Sequence, residues 1–244
     1  MKIKVINPNT TASMTAKIGA AACAVASPGT EIVACHPEMG PAAIEGHYDE
    51  ALSVIGVLDE IRKGEVDGMD GYVIACFGDP GLLAARELAK APVLGIAEAA
   101  MHAASFITMG FSIVTTLERT RGIAQALVDR YGMTRFCRQI RTIDLPVLSL
   151  EDGTEAETAV LQECHRAMKE DGCGAIVLGC GGMADLAAPL SQQLGIPVID
   201  GVGVAVKFVE ALAGLGLGTS KVGELAYPTS KPCLGMLSAF TRST

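Results

Sequence analysis

The chain has 244 residues, half of them hydrophobic, 19% charged and 4% aromatic, with no tryptophan and a net charge of −8. A disordered chain, rich in charge and poor in aliphatics, is excluded, and the acidic balance argues against a nucleic-acid partner. The core has to come from Ala, Val, Ile and Leu, with 28 glycines permitting close backbone approach, a mix suited to a buried parallel sheet under Ala-rich helices.

In chain order, β-branched runs predict strands at Ile3–Ile6, Tyr72–Ala75, Val93–Ile96, Ser112–Val114, Ala175–Leu178 and Val198–Ile199. Helical patterns fall at Ser13–Ala26, Tyr48–Lys63, Leu82–Leu88, Ala97–Ile107, Leu117–Tyr131, Glu155–Glu170 and Val204–Leu215. Such alternation means βαβ units and a parallel sheet. The longest apolar stretch, Ala91 to Leu117, is broken by Pro92, Gly95, Glu98, His102 and Gly110. It falls short of the roughly 20 uninterrupted apolar residues a bilayer helix needs. The opening MKIKVINPNT lacks the apolar region of a signal peptide, so a cytoplasmic protein without membrane attachment is expected.

Cysteines stand at 23, 35, 76, 137, 164, 173, 180 and 233, and no pair has CxxC spacing. A zinc site or redox dithiol of the usual kind is therefore not expected. Two of the eight belong to a repeat. GYVIACFG at 71–78 resembles GAIVLGCGG at 174–182; Pro92 follows Cys76 by sixteen residues and Pro197 follows Cys180 by seventeen. VINPNT at 5–10 has its counterpart in SIVTT at 112–116. All three pairs are offset by about 105 residues, the mark of two related α/β halves. Loops at the carboxyl ends of parallel strands form the ligand crevice of open α/β sheets, and NPNT, CFGDPG, TT and CGGM all lie at such ends. Two facing halves then present Cys76 and Cys180 from opposite sides of one cleft.

Each cysteine precedes glycine and an expected helix start, with Asp79 as the cap of the helix beginning near Pro80. Helix N–H groups there are expected to lower the thiol pKa and to hold an oxyanion on a substrate carbonyl. A protease-like nucleophile would need a basic histidine. His102 and His165 lie in predicted helices, His36 and His47 in an irregular stretch, and none adjoins a cysteine motif. Two pseudo-symmetric thiols suit other chemistry: one thiolate takes a proton from a carbon acid and the opposite thiol returns one. No Gly-rich phosphate loop of a nucleotide or pyridoxal enzyme is present.

The sequence resembles the hydantoin and allantoin racemase branch of the aspartate/glutamate/hydantoin racemase superfamily along nearly its whole length. The likeness is carried by VINPNT at 5–10, GPAAIEGHYDEA at 40–51, VIACFGDPGL at 73–82, GIAEAAMH at 95–102, FSIVTT at 111–116, IVLGCGGMA at 176–184 and PVIDGV at 197–202. It implies two pseudo-symmetric Rossmann-like or flavodoxin-like domains, 1–97 with 207–244 and 98–206, around a shared active-site cleft. It implies Cys76 and Cys180 as the acid/base pair, one for each enantiomer, and no cofactor or metal. Asn9, Ile44, Thr115 and Thr116 would line the ring pocket, and backbone N–H groups around Phe77, Gly78 and Gly181 would hold the ring carbonyls. The plain alternative for Asn9 and the threonines is turn and cap chemistry; for Ile44 it is ordinary core. Glu45, His47 and Asp49 read as solvated or structural.

The resemblance implies a small cyclic ureide as substrate and a homo-oligomeric assembly. No Lys or Arg occurs in the four cleft loops, as a neutral ring allows. Other readings are an aspartate or glutamate racemase, a maleate isomerase of the same superfamily, or a two-lobed binding protein without catalysis.

Overall fold

The computed structural model describes residues 1–151 and 153–241. The first half runs β1 (Lys2–Ile6), α1 (Ala12–Val25), β2 (Glu31–Cys35), α2 (His47–Asp67), β3 (Gly71–Ile74), α3 (Leu82–Leu88), β4 (Val93–Gly95) and α4 (Ile96–Ile107). The second runs β5 (Phe111–Thr115), α5 (Arg121–Arg130), β6 (Cys137–Thr142), α6 (Thr154–Glu170), β7 (Ala175–Leu178), α7 (Ala187–Leu194), β8 (Val198–Ile199) and α8 (Gly201–Gly214).

Two four-stranded, wholly parallel sheets result, ordered β2-β1-β3-β4 and β6-β5-β7-β8. The two orders are the same once renumbered from the start of each half, so the repeat in the sequence is a repeat of topology. In each sheet the order switches direction between the first and third strands, at β1/β3 and β5/β7. A ligand crevice belongs outside the carboxyl ends of such a pair. The central strands are apolar runs because both faces are covered: every residue of β3, β5 and β7 is buried.

Pattern and structure part at two edge strands, β2 and β6. β6, CRQIRT, buries only Ile140, so it carries no β-branched run to betray it. β2, EIVAC, is half-buried at the equivalent edge of the other sheet. α7 follows a 3-10 turn at Gly181–Leu186, and the 117–131 segment opens with another at Glu118–Thr120 before α5 begins. α8 starts at Gly201 because the Asp200 carboxylate accepts the Val202 and Gly203 N–H groups at 2.9 and 2.6 Å. This is an N-cap bond pair, satisfying two otherwise orphaned donors.

α8 packs on α1, α4, β3 and β4. Beyond it, Thr219 donates its N–H to the Lys90 carbonyl at 2.8 Å, tying the tail to the first half. Among the described residues, no helix is long and apolar enough to cross a membrane.

Candidate active site

Four turns converge between the sheets, one from the carboxyl end of each switch-point strand. They form a narrow cavity of about 50 Å³, lined by Asn9 after β1, Cys76, Phe77 and Gly78 after β3, Thr115 and Thr116 at the end of β5, and Gly179 to Gly181 after β7. Ile44 closes it from the loop before α2. All nine residues singled out from the sequence thus face one space, and Cys76 and Cys180 are each partly open to it.

The two cysteine turns touch. A Cβ on Gly181 would lie 2.7 Å from the Ala75 carbonyl oxygen, so only glycine lets the chain beside Cys180 rest on the chain beside Cys76. Two further contacts cross the cleft. Glu45 accepts the Val147 N–H at 2.8 Å, and Gly46 packs against the Arg119 guanidinium. Glu45 thus ties the loop before α2 to the turn at Val147.

The polar groups divide into committed and open ones. Asn9 Oδ1 accepts from Thr11 N–H at 2.9 Å and from Asn7 Nδ2 at 2.8 Å, while Asn9 Nδ2 meets only the Met14 sulfur, at 3.2 Å. Asn9 is thus both turn former and pocket donor. Thr115 Oγ1 donates to the Gly179 carbonyl at 2.9 Å, which leaves its hydroxyl able only to accept. Thr116 Oγ1, and the N–H groups of Phe77 and Gly181, have no hydrogen-bond partner among the described residues. They can serve a ligand without breaking anything.

The thiols depart from expectation. Backbone N–H groups of Gly78 and Gly182 do favour the Cys76 and Cys180 thiolates, but burial outweighs them. Burial pushes Cys180 up to about 11. Cys76 is pushed further by burial, with Cys180, Asp79 and Glu50 adding repulsion. The reason is that the enclosing turns exclude water from the charged form more than two amide dipoles restore. Asp79 also has another task than the one its position suggests. α3 begins with Gly81 as its cap and no side-chain bond. Asp79, at φ 45°, turns instead to α4. It accepts from Ala97 N–H at 3.0 Å, Glu98 N–H at 2.9 Å and the Tyr131 hydroxyl at 2.7 Å. Gly95 leaves room for that carboxylate, which a Cβ there would overlap. Burial raises the Asp79 carboxyl to about 7.

His47 is the first residue of α2 rather than part of an irregular stretch, and its side chain is 82% exposed. His36 bonds the Thr15 hydroxyl at 3.0 Å and His102 the Glu98 carbonyl at 2.8 Å. None of the four histidines lines the cavity. Sequence reasoning missed Glu50 and Asn7, which do. Asn7 stands inside the quoted NPNT block and could have been found there; Glu50 sits among the first-turn acids of α2, which is where acids ordinarily lie in solvent. No Lys or Arg lines the cavity, and no cluster of potential metal ligands occurs among the described residues.

Residues 3–209 match the Asp/Glu/Hydantoin racemase family. The chain is 53% identical to a hydantoin racemase of Rhizobium meliloti, over 96% of this chain and 98% of that protein. It is 51% identical to a hydantoin racemase of Pseudomonas sp. (strain NS671), over 100% of this chain and 98% of the other. Among solved structures, allantoin racemase from Klebsiella pneumoniae matches with a TM-score of 0.98 at 59% identity, covering 99% of each chain.

Proposed function

The chain belongs to the Asp/Glu/hydantoin racemase family, and from that premise we propose that it is a cofactor-independent racemase of 5-substituted hydantoin-type cyclic ureides. The observation that carries the proposal is the pair of thiols on equivalent strand ends, both opening into one cavity. C5 of such a ring lies between a carbonyl and a nitrogen. One thiolate takes the C5 proton, the electron pair delocalises onto the carbonyl as an enolate, and the opposite thiol returns a proton to the other face. The first cysteine ends as thiol and the second as thiolate, so protons balance. The open N–H groups of Phe77 and Gly181 suit the enolate oxygen, and Asn9, Ile44, Gly78, Thr115 and Thr116 frame the ring. Elevated thiol pKa values make thiolates scarce but strongly basic, which a weak carbon acid requires.

The absence of Lys and Arg from the cavity lining among the described residues, with Glu50 present, favours a neutral ring over the dicarboxylates of an aspartate racemase, glutamate racemase or maleate isomerase. A binding protein without catalysis would have no use for two thiols. Domains 1–97 with 207–244 and 98–206, a homo-oligomeric assembly, a cytoplasmic setting and no nucleic-acid partner belong to the same reading. Each sheet lies within one of those domains, and the tail bonds to Lys90 in the first.

The test uses proton exchange at C5, followed by NMR in deuterium oxide from each pure enantiomer. Cys76→Ser and Cys180→Ser should each exchange one enantiomer faster than they invert it, with opposite preferences. Identical preferences would remove the acid/base assignment. Wild-type turnover should survive dialysis against a chelator with nothing added; restoration by zinc or manganese after loss would overturn the cofactor-free reading.

A further inference from the structure

Glu50 is a carboxylate that the mechanism above does not use. It lines the cavity from the first turn of α2 with a side chain only 30% exposed. It shares that lining with Ile44, Phe77, Ile123 and Ala124 as well as with Asn7, Asn9 and three threonines. Its nearest cationic contact is His47 Nδ1 at 3.7 Å, too long for a hydrogen bond and on a side chain almost fully in solvent. Arg130 acts on it only at longer range, and burial raises its carboxyl above the ordinary value. Glu50 and Cys76 line the same cavity, and the carboxylate opposes ionisation of the Cys76 thiol. A carboxylate kept half out of water without a firm partner costs stability unless something later bonds it. A donor brought in by the ligand would supply that bond.

We infer that Glu50 is the specificity-determining residue for the substituent on C5, receiving the paired N–H groups of a ureido arm. The inference rests on the racemase reading and narrows it to ureido-substituted hydantoins. A terminal urea presents two parallel N–H bonds, one from each nitrogen, which match the two oxygens of a carboxylate. Charge-assisted bonds of this kind are shorter and stronger than neutral ones. An alkyl substituent has no such donors and would leave the carboxylate desolvated against carbon, so the same residue that selects the ureido arm rejects the alkyl one. An acidic substituent would be repelled outright.

The experiment compares racemisation of allantoin, which carries a 5-ureido arm, with that of 5-isopropylhydantoin. It uses enantiopure substrates, circular dichroism, subtraction of the uncatalysed rate, and the full-length wild type, Glu50→Gln and Glu50→Leu. Wild type should prefer allantoin in kcat/KM. Glu50→Leu should lower the allantoin-to-isopropylhydantoin ratio by about 10- to 100-fold, the loss of a charge-assisted bond pair. Glu50→Gln, which retains one acceptor oxygen, should lower it by several-fold. A ratio unchanged within about twofold in both variants of an active enzyme, or a wild type that prefers the isopropyl compound, would overturn the assignment alone. A folded wild type that racemises neither compound would overturn the racemase reading itself, and Glu50 with it.

Discussion

The turn after β3 and the turn after β7 occupy equivalent places in two sheets of the same strand order, yet they are held differently. The Cys76 turn carries Asp79 in a left-handed conformation, its carboxylate buried against the N-terminus of α4 and the Tyr131 hydroxyl. In the Cys180 turn Gly181 and Gly182 lead into a 3-10 turn whose acid, Asp185, is bridged to Lys17 of α1 at 3.0 Å; Lys17 lowers the Cys180 pKa and Glu45 raises it. Asp79 and Glu50 both oppose ionisation of Cys76, whereas a lysine and a glutamate act in opposite senses on Cys180. The sheets are pseudo-symmetric and the electrostatics are not. This asymmetry makes Cys180 the easier of the two thiols to ionise.

The comparison breaks most visibly if only one thiol matters. Cys76→Ser and Cys180→Ser should each reduce racemisation by about 10²- to 10⁴-fold, the range for removal of a general acid or base, measured by polarimetry with both enantiomers. Near-normal turnover in either variant would end the idea that the two turns are catalytic partners.

Glycine content separates the turns next. Gly181→Ala puts a methyl against the Ala75 carbonyl, where backbone must move, whereas a Cβ on Gly78 meets nothing closer than 3.8 Å. Displacement of one reacting group by a fraction of an ångström should cost Gly181→Ala about 10- to 100-fold in kcat/KM, with a smaller loss for Gly78→Ala. Equal losses would show that the turns do not bear on each other as described.

Asp79 gives the Cys76 turn a pH signature of its own. Its carboxyl stands at about 7 in the fold against the usual 3.8, so between those values the folded chain holds a proton that the unfolded chain has released. Stability contributed by this residue therefore falls as pH rises from about 4 to 7. Urea unfolding should show that decline in wild type and a flatter profile in Asp79→Asn. Asp79→Ala, which strips the α4 cap, should cost about 1–3 kcal/mol; a pH-independent midpoint in wild type would contradict the burial argument.

The smallest effect concerns Lys17. Its side chain is a quarter exposed, so solvent and salt screen it. Lys17→Gln should slow iodoacetamide alkylation of Cys180 by about two- to threefold and leave Cys76 unmoved, with the difference shrinking at high salt. Equal slowing at both cysteines would assign the effect to altered access instead of charge.

Much of this was legible in the chain itself. Central strands are continuous apolar runs because both faces are buried, so β1, β3, β5 and β7 announce themselves, and their spacing exposes the duplication. Cys76 and Cys180 stand out because each closes such a run before glycine. Edge strands β2 and β6 do not, since a strand with one neighbour and a solvated face needs no unbroken apolar sequence. What the sequence determines by itself is whatever depends on near neighbours: periodicity, turns, and the order of repeated blocks. Tertiary structure alone decided that Asp79 caps a helix eighteen residues away from it, as its bond to Ala97 shows, that Glu50 leaves the ordinary acidic helix start to face the cleft, and that burial overrides the amide dipoles at both thiols. These outcomes depend on distance and dielectric between residues far apart along the chain, and both come into being only when the two halves close on each other.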